Sequence, residues 1–374
     1  MENIAIKEHF NNLVKEQIER NERIKNQSHK TDFSKKDKIV IGLVNGDGIG
    51  PIIVNEAKRV IDKLLKNEIE KGKIEIKEIS GLTIENRIKL NKSVPDNVLS
   101  ELKSCDVILK GPTTTPHGGT LESANVTLRR ELDLFANVRP VKIPEKNIDW
   151  TFFRENSEGE YVLGSKGMDI TPDMAIDFKI TTVAGTRRIA KAAFDYAKNN
   201  GKKRVAIVTK ANIIKHTDGM FSSVCHEVSK EYPEIEVSDW YVDIMAANLI
   251  NKSIRNSFEV FLLPNLYGDI ITDEAAQVQG GVGTAGSANI GDRYAMFEAI
   301  HGSAPRMIEE GLGEYANPES ILRALVMLLE HIVYTDKAKA LQNAIIKAEE
   351  ISNMTGEKGG NTAKEFTDNL LKFI

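Results

Sequence analysis

The sequence predicts an α/β fold with parallel strand pairing at its core, and three features predict it. Short β-branched runs recur along the chain, helical segments separate them, and glycine- or proline-rich turns close them. The first run, Ile39-Val40-Ile41-Gly42-Leu43-Val44, ends in a glycine-rich turn, and Val54 to Leu65 continues as a helix. Asp106-Val107-Ile108-Leu109 reads as a second buried strand. Arg204-Val205-Ala206-Ile207-Val208 and Val260-Phe261-Leu262-Leu263 repeat the theme. After Pro318, the apolar periodicity from Ile321 to Val333 predicts another helix.

Residues 1–36 stand apart from this pattern. Phe10, Leu13, Val14 and Ile18 fall at helical spacing with charged residues between them, which predicts a short amphipathic helix. The polar stretch Asn26 to Lys38 reads as a linker, so the segment is expected to be an arm lying on its own or a partner subunit. At roughly 150 residues per domain, the 374 residues suffice for two domains or three.

Lysine and arginine total 50 against 54 aspartate and glutamate, a formal charge of −4. Such a balance does not advertise binding to nucleic acid or an acidic membrane. Cys105 and Cys225 are too few for a disulfide framework or a structural zinc site, and read as reduced core residues. No apolar stretch approaches the roughly 20 residues of a membrane helix. The N-terminus lacks a secretory apolar core, and Glu2, Glu8, Glu16, Glu19 and Glu22 argue against a transit peptide. A cytoplasmic location is the expectation.

Gly46-Asp47-Gly48-Ile49-Gly50 invites a dinucleotide reading, but it is GxGxG, without the third glycine at the required spacing or an acidic residue at the end of a second strand. A tight strand-to-helix turn lining the site is the preferred reading. Four segments are richer in polar residues than structure requires. They are Lys110 to Pro116 followed by Ser123, Asn125, Arg129 and Arg139; Arg154 to Tyr161; Lys210-Ala-Asn212; and Asn265 to Asp273, joined by Asp243. Asp269 and Asp273 stand at i,i+4, which can cap a helix or simply share its face, or can present two hard oxygen ligands to Mg²⁺ or Mn²⁺. Arginines clustered with such a metal suit a polycarboxylate, because the guanidinium fork matches carboxylate geometry.

These blocks resemble the isocitrate and isopropylmalate dehydrogenase family, the metal-dependent β-decarboxylating dehydrogenases. The resemblance covers about residues 38 to 370. It rests on GDGIGP at Gly46–Pro51, the Lys110–Pro140 block, RENSEG at Arg154–Gly159, TKAN at Thr209–Asn212, NLYGDIITD at Asn265–Asp273 and EAIHGSAP at Glu298–Pro305. It implies a two-domain α/β fold with a helical arm at 1–36. A discontinuous large cofactor-binding domain (37–134 and 281–374) would hold a mostly parallel sheet. A smaller α/β dimerisation domain (135–280) would carry metal, substrate and dimer contacts.

Within the family, leucines before the first substrate arginine face the alkyl group of isopropylmalate, whereas serine and asparagine bond the extra carboxylate of isocitrate. Here Ser123 and Asn125 precede Arg129, which resembles the isocitrate pattern. Against an alkyl chain their polar groups would be buried unpaired, so discrimination should be strong. The resemblance implies that Arg129, Arg139 and Arg154 clamp the substrate carboxylates and that Asn212 supports substrate or cofactor. Asp269 and Asp273, with Asp243 from a second subunit, would hold Mg²⁺ or Mn²⁺. Lys210, also from the neighbour, would take the hydroxyl proton as hydride leaves, and Tyr161 would protonate the decarboxylated product to give 2-oxoglutarate. A homodimer with shared sites follows.

The same resemblance lays the dinucleotide along His301, Gly302, Ser303, Ala304 and Asn317, with Thr115 near the nicotinamide. Arg306-Met307, just after HGSAP, fits neither the acidic NAD pattern nor the usual NADP one; Arg306 could meet a 2′-phosphate. Met354-Thr-Gly-Glu-Lys-Gly-Gly360 lacks the tyrosine and arginine of some NADP users. NAD is therefore the expected oxidant and NADP the alternative. Other readings are a dehydrogenase for isopropylmalate, homoisocitrate or tartrate, and a non-catalytic regulatory subunit, which would have lost some of these polar residues. A plain nucleotide-binding module would leave the aspartates unexplained.

Overall fold

The computed structural model describes residues 2–26, 30–116, 121–281 and 285–374. In chain order its helices are α1 (Glu2–Asn26), α2 (Gly50–Leu64), α3 (Lys66–Glu70), α4 (Ile84–Leu90), α5 (Asp96–Lys103), α6 (Ala124–Glu131), α7 (Val183–Asn199) and α8 (Thr217–Ser229). They continue with α9 (Val242–Ile250), α10 (Asn265–Gln279), α11 (Pro305–Glu309), α12 (Glu319–His331), α13 (Thr335–Ile351) and α14 (Ala363–Leu371). The strands are β1 (Ile39–Val44), β2 (Ile74–Ile79), β3 (Val107–Lys110), β4 (Ala136–Ile143), β5 (Ile148–Glu155) and β6 (Met168–Thr171). After them come β7 (Met174–Ile176), β8 (Arg204–Thr209), β9 (Glu236–Tyr241), β10 (Val260–Leu263), β11 (Gly286–Ile290) and β12 (Ala295–Ala299).

The chain forms two compact units, a large one of residues 30–132 and 279–374 and a small one of residues 1–29 and 133–278. In the large unit the strands run β2-β1-β3-β12-β11, all parallel except the β11–β12 hairpin. Helix α12 lies on β11 and β12, with Ile321, Leu322, Leu325, Leu328 and Leu329 fully buried. The i, i+4, i+8 spacing of those residues gives one broad apolar stripe.

In the small unit the order is β4-β5-β10-β8-β9, with only the β4–β5 pair antiparallel. Its core is aromatic: Phe152 stacks on Phe261 at 4.3 Å between ring centroids, and Trp150 meets Phe261 edge-on at 5.9 Å. The Trp150 indole N–H donates to the Arg255 carbonyl at 3.1 Å, so the large ring is buried without an orphaned donor. The continuous apolar runs Val260–Leu263 and Val205–Val208 are buried throughout, as expected of parallel strands covered on both faces.

The N-terminal segment departs from expectation. Its helix runs over Glu2–Asn26 rather than being short, and it belongs with the small unit. Of the apolar residues that suggested its inward face, only Leu13 is buried; Phe10, Val14 and Ile18 are 45%, 41% and 59% exposed. The inward stripe is Leu13-Gln17-Arg20-Ile24, at i, i+4, i+7 and i+11. Its two middle members are polar, which hides the stripe from hydrophobic periodicity. The expected linker contains a helical turn, Phe33–Lys35, capped by Asp32, with Phe33 buried edge-on to His331. Both cysteines are free and buried. Among the described residues no helix is long and apolar enough to cross a membrane.

Candidate active site

Every polar block picked out in the sequence except Ser123–Arg139 follows the carboxyl end of a parallel strand. Gly46–Gly50 follows β1, Gly111–Pro116 follows β3, Arg154 to Tyr161 begins in the last turns of β5, Lys210 follows β8, Asn265 follows β10 and His301 follows β12. Carboxyl ends of parallel strands are where α/β proteins bind ligands, because the loops there leave the sheet.

In the large unit, the turn after β1 is a peg between loops. The Asp47 carboxylate accepts the backbone N–H groups of Ile84 and Thr114, each at 2.7 Å. The Asp47 N–H donates to the Pro112 carbonyl at 2.7 Å and the Ile49 N–H to the Ser303 carbonyl at 3.0 Å. Gly48 has φ +56°, and a Cβ there would lie 2.0 Å from the Ser303 carbonyl oxygen. A glycine is required for that approach. The tight-turn reading of GDGIG is therefore the one the contacts match.

Lys110 and Glu298 are register partners on β3 and β12, and their side chains pair at 3.2 Å, the lysine fully buried. Glu298 also pairs with Arg129 at 3.4 Å and accepts from Asn289 at 2.8 Å. Burial pushes the Lys110 ammonium down from its ordinary value, and Glu298 opposes that shift. Burial would raise the Glu298 carboxyl, but Lys110 and Arg129 outweigh it and hold it below the usual carboxylate range.

Ser123 stands immediately before α6 and makes no side-chain cap to it. Asn125 accepts from the Thr113 hydroxyl at 3.3 Å. Both are half-buried, as is Arg129. Thr115 is exposed. The His301 Nδ1 lies 2.9 Å from the Gly302 carbonyl, while its Nε2 is buried with no hydrogen-bond partner among the described residues. Ser303 contacts Thr114 hydroxyl-to-hydroxyl at 2.6 Å, Ala304 has φ +44° at the start of α11, and Gly302 is exposed. Asn317 accepts the Glu319 N–H at 3.0 Å. Arg306, 85% exposed, pairs with Glu310 at 2.6 Å.

The small unit holds the other group. Arg139 on β4 and Arg154 on β5 are 7% and 1% exposed. The Asn265 Oδ1 accepts from Arg154 Nε at 3.0 Å and Nη2 at 2.6 Å, and Arg154 Nη1 pairs with Asp269. Arg139 donates to Thr272 at 2.6 Å and to Asp273 at 3.1 Å. The Tyr161 hydroxyl donates to Asp269 Oδ2 at 2.7 Å, with the Arg154 guanidinium 5.1 Å from the tyrosine ring centre. Gly268 permits this: a Cβ there would sit 2.4 Å from Arg154 Cγ. Buried guanidiniums thus hold the inner edges of two carboxylates that remain 38% and 65% exposed.

Lys210 and Asp243 pair with each other at 2.6 Å, and that bond holds the Asp243 carboxyl below its usual range. Asn212 beside them is exposed. The chain therefore brings Asp269, Asp273, Tyr161, Arg139 and Arg154 together, while Asp243 is engaged elsewhere. Among the described residues no group of three or more His, Cys, Asp or Glu is arranged to hold a metal ion. Asp269 and Asp273 supply two hard oxygen donors one helical turn apart, which suits Mg²⁺ or Mn²⁺ but leaves the shell to be completed from outside this set. For a dinucleotide, the fitting observation is the unpartnered buried Nε2 of His301.

Three supports escaped sequence reasoning. Arg87, fully buried, donates to the carbonyls of Ser93 and Thr114 at 2.7 Å each and of Glu122 at 3.2 Å, tying the loop after β3 to the start of α6. Asp218, also fully buried, accepts the Lys210 N–H at 2.7 Å and pairs with Lys179 at 2.5 Å. Lys179 in turn pairs with Glu160 at 3.3 Å and lies 4.5 Å from the Tyr267 ring centre. Each reads in sequence as one more charged residue on a helix or loop, so no local signal marks it.

These features define a class of α/β protein with polar side chains gathered at the carboxyl ends of parallel strands. Within that class, the isocitrate/isopropylmalate dehydrogenase family matches residues 40–373, and the chain belongs to this family. It is 41% identical over 318 residues to a protein of Rickettsia prowazekii named isocitrate dehydrogenase [NADP], a match covering 81% of this chain and 62% of that one. It is 34% identical to isocitrate dehydrogenase [NAD] subunit 2, mitochondrial, of Schizosaccharomyces pombe, over 88% of this chain and 86% of that one. Homoisocitrate dehydrogenase of Methanocaldococcus jannaschii is 36% identical, over 89% and 96%. Among solved structures, isocitrate dehydrogenase from Methylococcus capsulatus superposes with a TM-score of 0.79 at 34% identity, covering 90% of this chain and 99% of that one.

Proposed function

We propose that this protein oxidatively decarboxylates isocitrate to 2-oxoglutarate and CO₂, with NAD as oxidant and Mg²⁺ or Mn²⁺ as cofactor. The observation that carries the substrate is the polar pair ahead of Arg129. Ser123 spends nothing on capping α6, and Asn125 is half-buried beside Thr113, so both suit a carboxylate better than an alkyl chain. The names of the relatives with NADP, NAD and homoisocitrate specificity mark the family range inside which this reading falls.

In this reading Arg129, Arg139 and Arg154 bind substrate carboxylates by their guanidinium forks. Asp269 and Asp273 would hold the divalent ion, together with Asp243 of a second copy in a homodimer. When bound, the ion supplies Lewis-acid polarisation of substrate oxygens. Lys210 Nζ of the second copy would take the proton of the substrate hydroxyl, the dinucleotide serving as hydride acceptor when bound. After CO₂ leaves, the Tyr161 hydroxyl delivers a proton to the carbon that lost it. His301, Gly302, Ser303, Ala304, Asn317 and Thr115 bind the dinucleotide, and Asn212 supports substrate or cofactor. A cytoplasmic location is part of the same proposal.

NAD is favoured because Arg306 is already paired with Glu310 one turn along α11. NADP is the second reading, favoured by the name of the Rickettsia relative. Steady-state rates with isocitrate and Mn²⁺ test this. The proposal expects higher kcat/KM with NAD than with NADP, and lower values with isopropylmalate, homoisocitrate or tartrate. A clear preference for another acid would replace the substrate, and a preference for NADP would replace the oxidant.

A further inference from the structure

The N-terminal helix lies outside the family match of 40–373, yet its inward face touches the segment that follows the buried Arg154. Arg20 donates to Glu158 Oε1 at 3.0 Å and to Ser157 Oγ at 3.1 Å. The arginine side chain is 13% exposed and the glutamate 3%, so this is an interior pair. Leu13 and Ile24 bury on either side of it along the helix, and Lys166 pairs with Glu16 on its exposed side.

Glu158 sits in a tight turn. The Glu155 carboxylate accepts the Ser157 N–H at 3.0 Å and the Glu158 N–H at 2.6 Å. The Glu158 carboxylate accepts the Thr182 N–H at 2.8 Å and its hydroxyl at 2.6 Å, at the start of α7. Gly185 leaves the room for this, since a Cβ there would lie 2.4 Å from Glu158 Oε1. The Glu158 backbone carbonyl accepts Asn265 Nδ2 at 3.0 Å, and the other end of that amide orients Arg154. One line of polar contacts therefore runs from Arg20 through Glu158 and Asn265 to Arg154 and Asp269, entirely within the small unit.

The charges explain why Arg20 matters. Glu155 and Glu158 are both buried, and the cations facing them are Arg20 of α1 and Arg188 of α7. Arg188 is shared, because it pairs with Asp133 at 2.6 Å and also reaches Ser157 at 3.0 Å. Removing Arg20 would leave two buried carboxyls with one divided counter-charge, which the turn can relieve by opening toward water or by keeping a proton on Glu155, whose carboxyl burial and Glu158 already push up to about 7.

We propose that Arg20 is a positioning residue: the N-terminal helix delivers it to Glu158, fixing the turn that sets Asn265 and hence the Arg154 guanidinium that receives substrate. This inference rests on the functional reading above. Misplacing Arg154 weakens ground-state and transition-state binding alike, so the effect should fall on KM.

The 374-residue protein is compared with Arg20→Ala, Arg20→Gln and Arg20→Lys in two measurements. With isocitrate, Mn²⁺ and the preferred dinucleotide, Arg20→Ala and Arg20→Gln should raise the isocitrate KM about ten-fold, with kcat within about two-fold, and Arg20→Lys should recover most of the loss. By amide hydrogen exchange, residues 155–161 should exchange about ten-fold faster in the Ala and Gln variants, without faster exchange in the aromatic core strands. Arg20→Gln keeps the stem and a donor, which covers the case in which Ala loosens the whole helix. Wild-type KM and wild-type exchange in the Gln variant would overturn the proposal. Were the wild-type protein inactive on isocitrate, the functional reading would fall, and the exchange measurement alone would still decide whether Arg20 fixes the turn.

Discussion

Both units gather cations against carboxylates, but they use the pairing in opposite ways. In the large unit Lys110, Glu298 and Arg129 point at one another, with Lys110 at 0% and Glu298 at 6% side-chain exposure. Lys110 and Glu298 join neighbouring strands, and Arg129, which the proposed reading gives to substrate, meets Glu298 from α6. In the small unit Arg139 and Arg154 are equally buried, yet Asp269 and Asp273 keep 38% and 65% of their side chains in water. Buried cations there brace acids that still face outward. The lesson is that burial of a charge does not by itself mark chemistry; the two clusters differ in whether the partner still faces water.

Breaking each pair should separate the two uses. Asp273→Asn in the small unit should lower kcat/KM with Mn²⁺ on the order of 10³-fold, while the unfolding free energy in urea stays within about 1 kcal/mol of wild type. Lys110→Met in the large unit should show its effect in stability. Leaving Glu298 with only Arg129 opposite it should cost about 3–5 kcal/mol of unfolding free energy. A Lys110→Met protein of unchanged stability would erase the contrast.

The smallest expected effect is one of pH, and it belongs to the large unit. His331 packs against Phe33 and Phe297, and burial lowers its pKa to about 4. Between that value and the ordinary one near 6.5, the unfolded chain takes up a proton that the folded chain refuses. The stability is thus complete above pH 6.5 and is lost as pH falls toward 4, up to roughly 3 kcal/mol. Melting temperature followed over that window should fall less steeply in His331→Phe; parallel slopes would remove His331 from the account.

What could be read from the sequence divides along the same physical line. Strands such as Val260–Leu263 and the helix after Pro318 were legible because their apolar pattern is local. The blocks around Arg154 and Asp269 were legible because several polar residues crowd where packing needs none. Arg87, Lys179 and Asp218 were not, since each acts by reaching carbonyls, amides or charges outside its own turn or helix. The N-terminal helix was half legible: its existence follows from spacing, but its face is chosen by the ion pair of Arg20 with Glu158, 138 residues on.

The central claim is that the arginine-braced aspartates serve a metal-dependent oxidation of isocitrate. The most direct test is the rate of reduced dinucleotide formation from isocitrate by the purified protein, with Mg²⁺ or Mn²⁺ and then with chelator. The account predicts turnover that appears with the metal and vanishes without it. Turnover that persists in chelator, or a folded protein inert with isocitrate, metal and either dinucleotide, would contradict it.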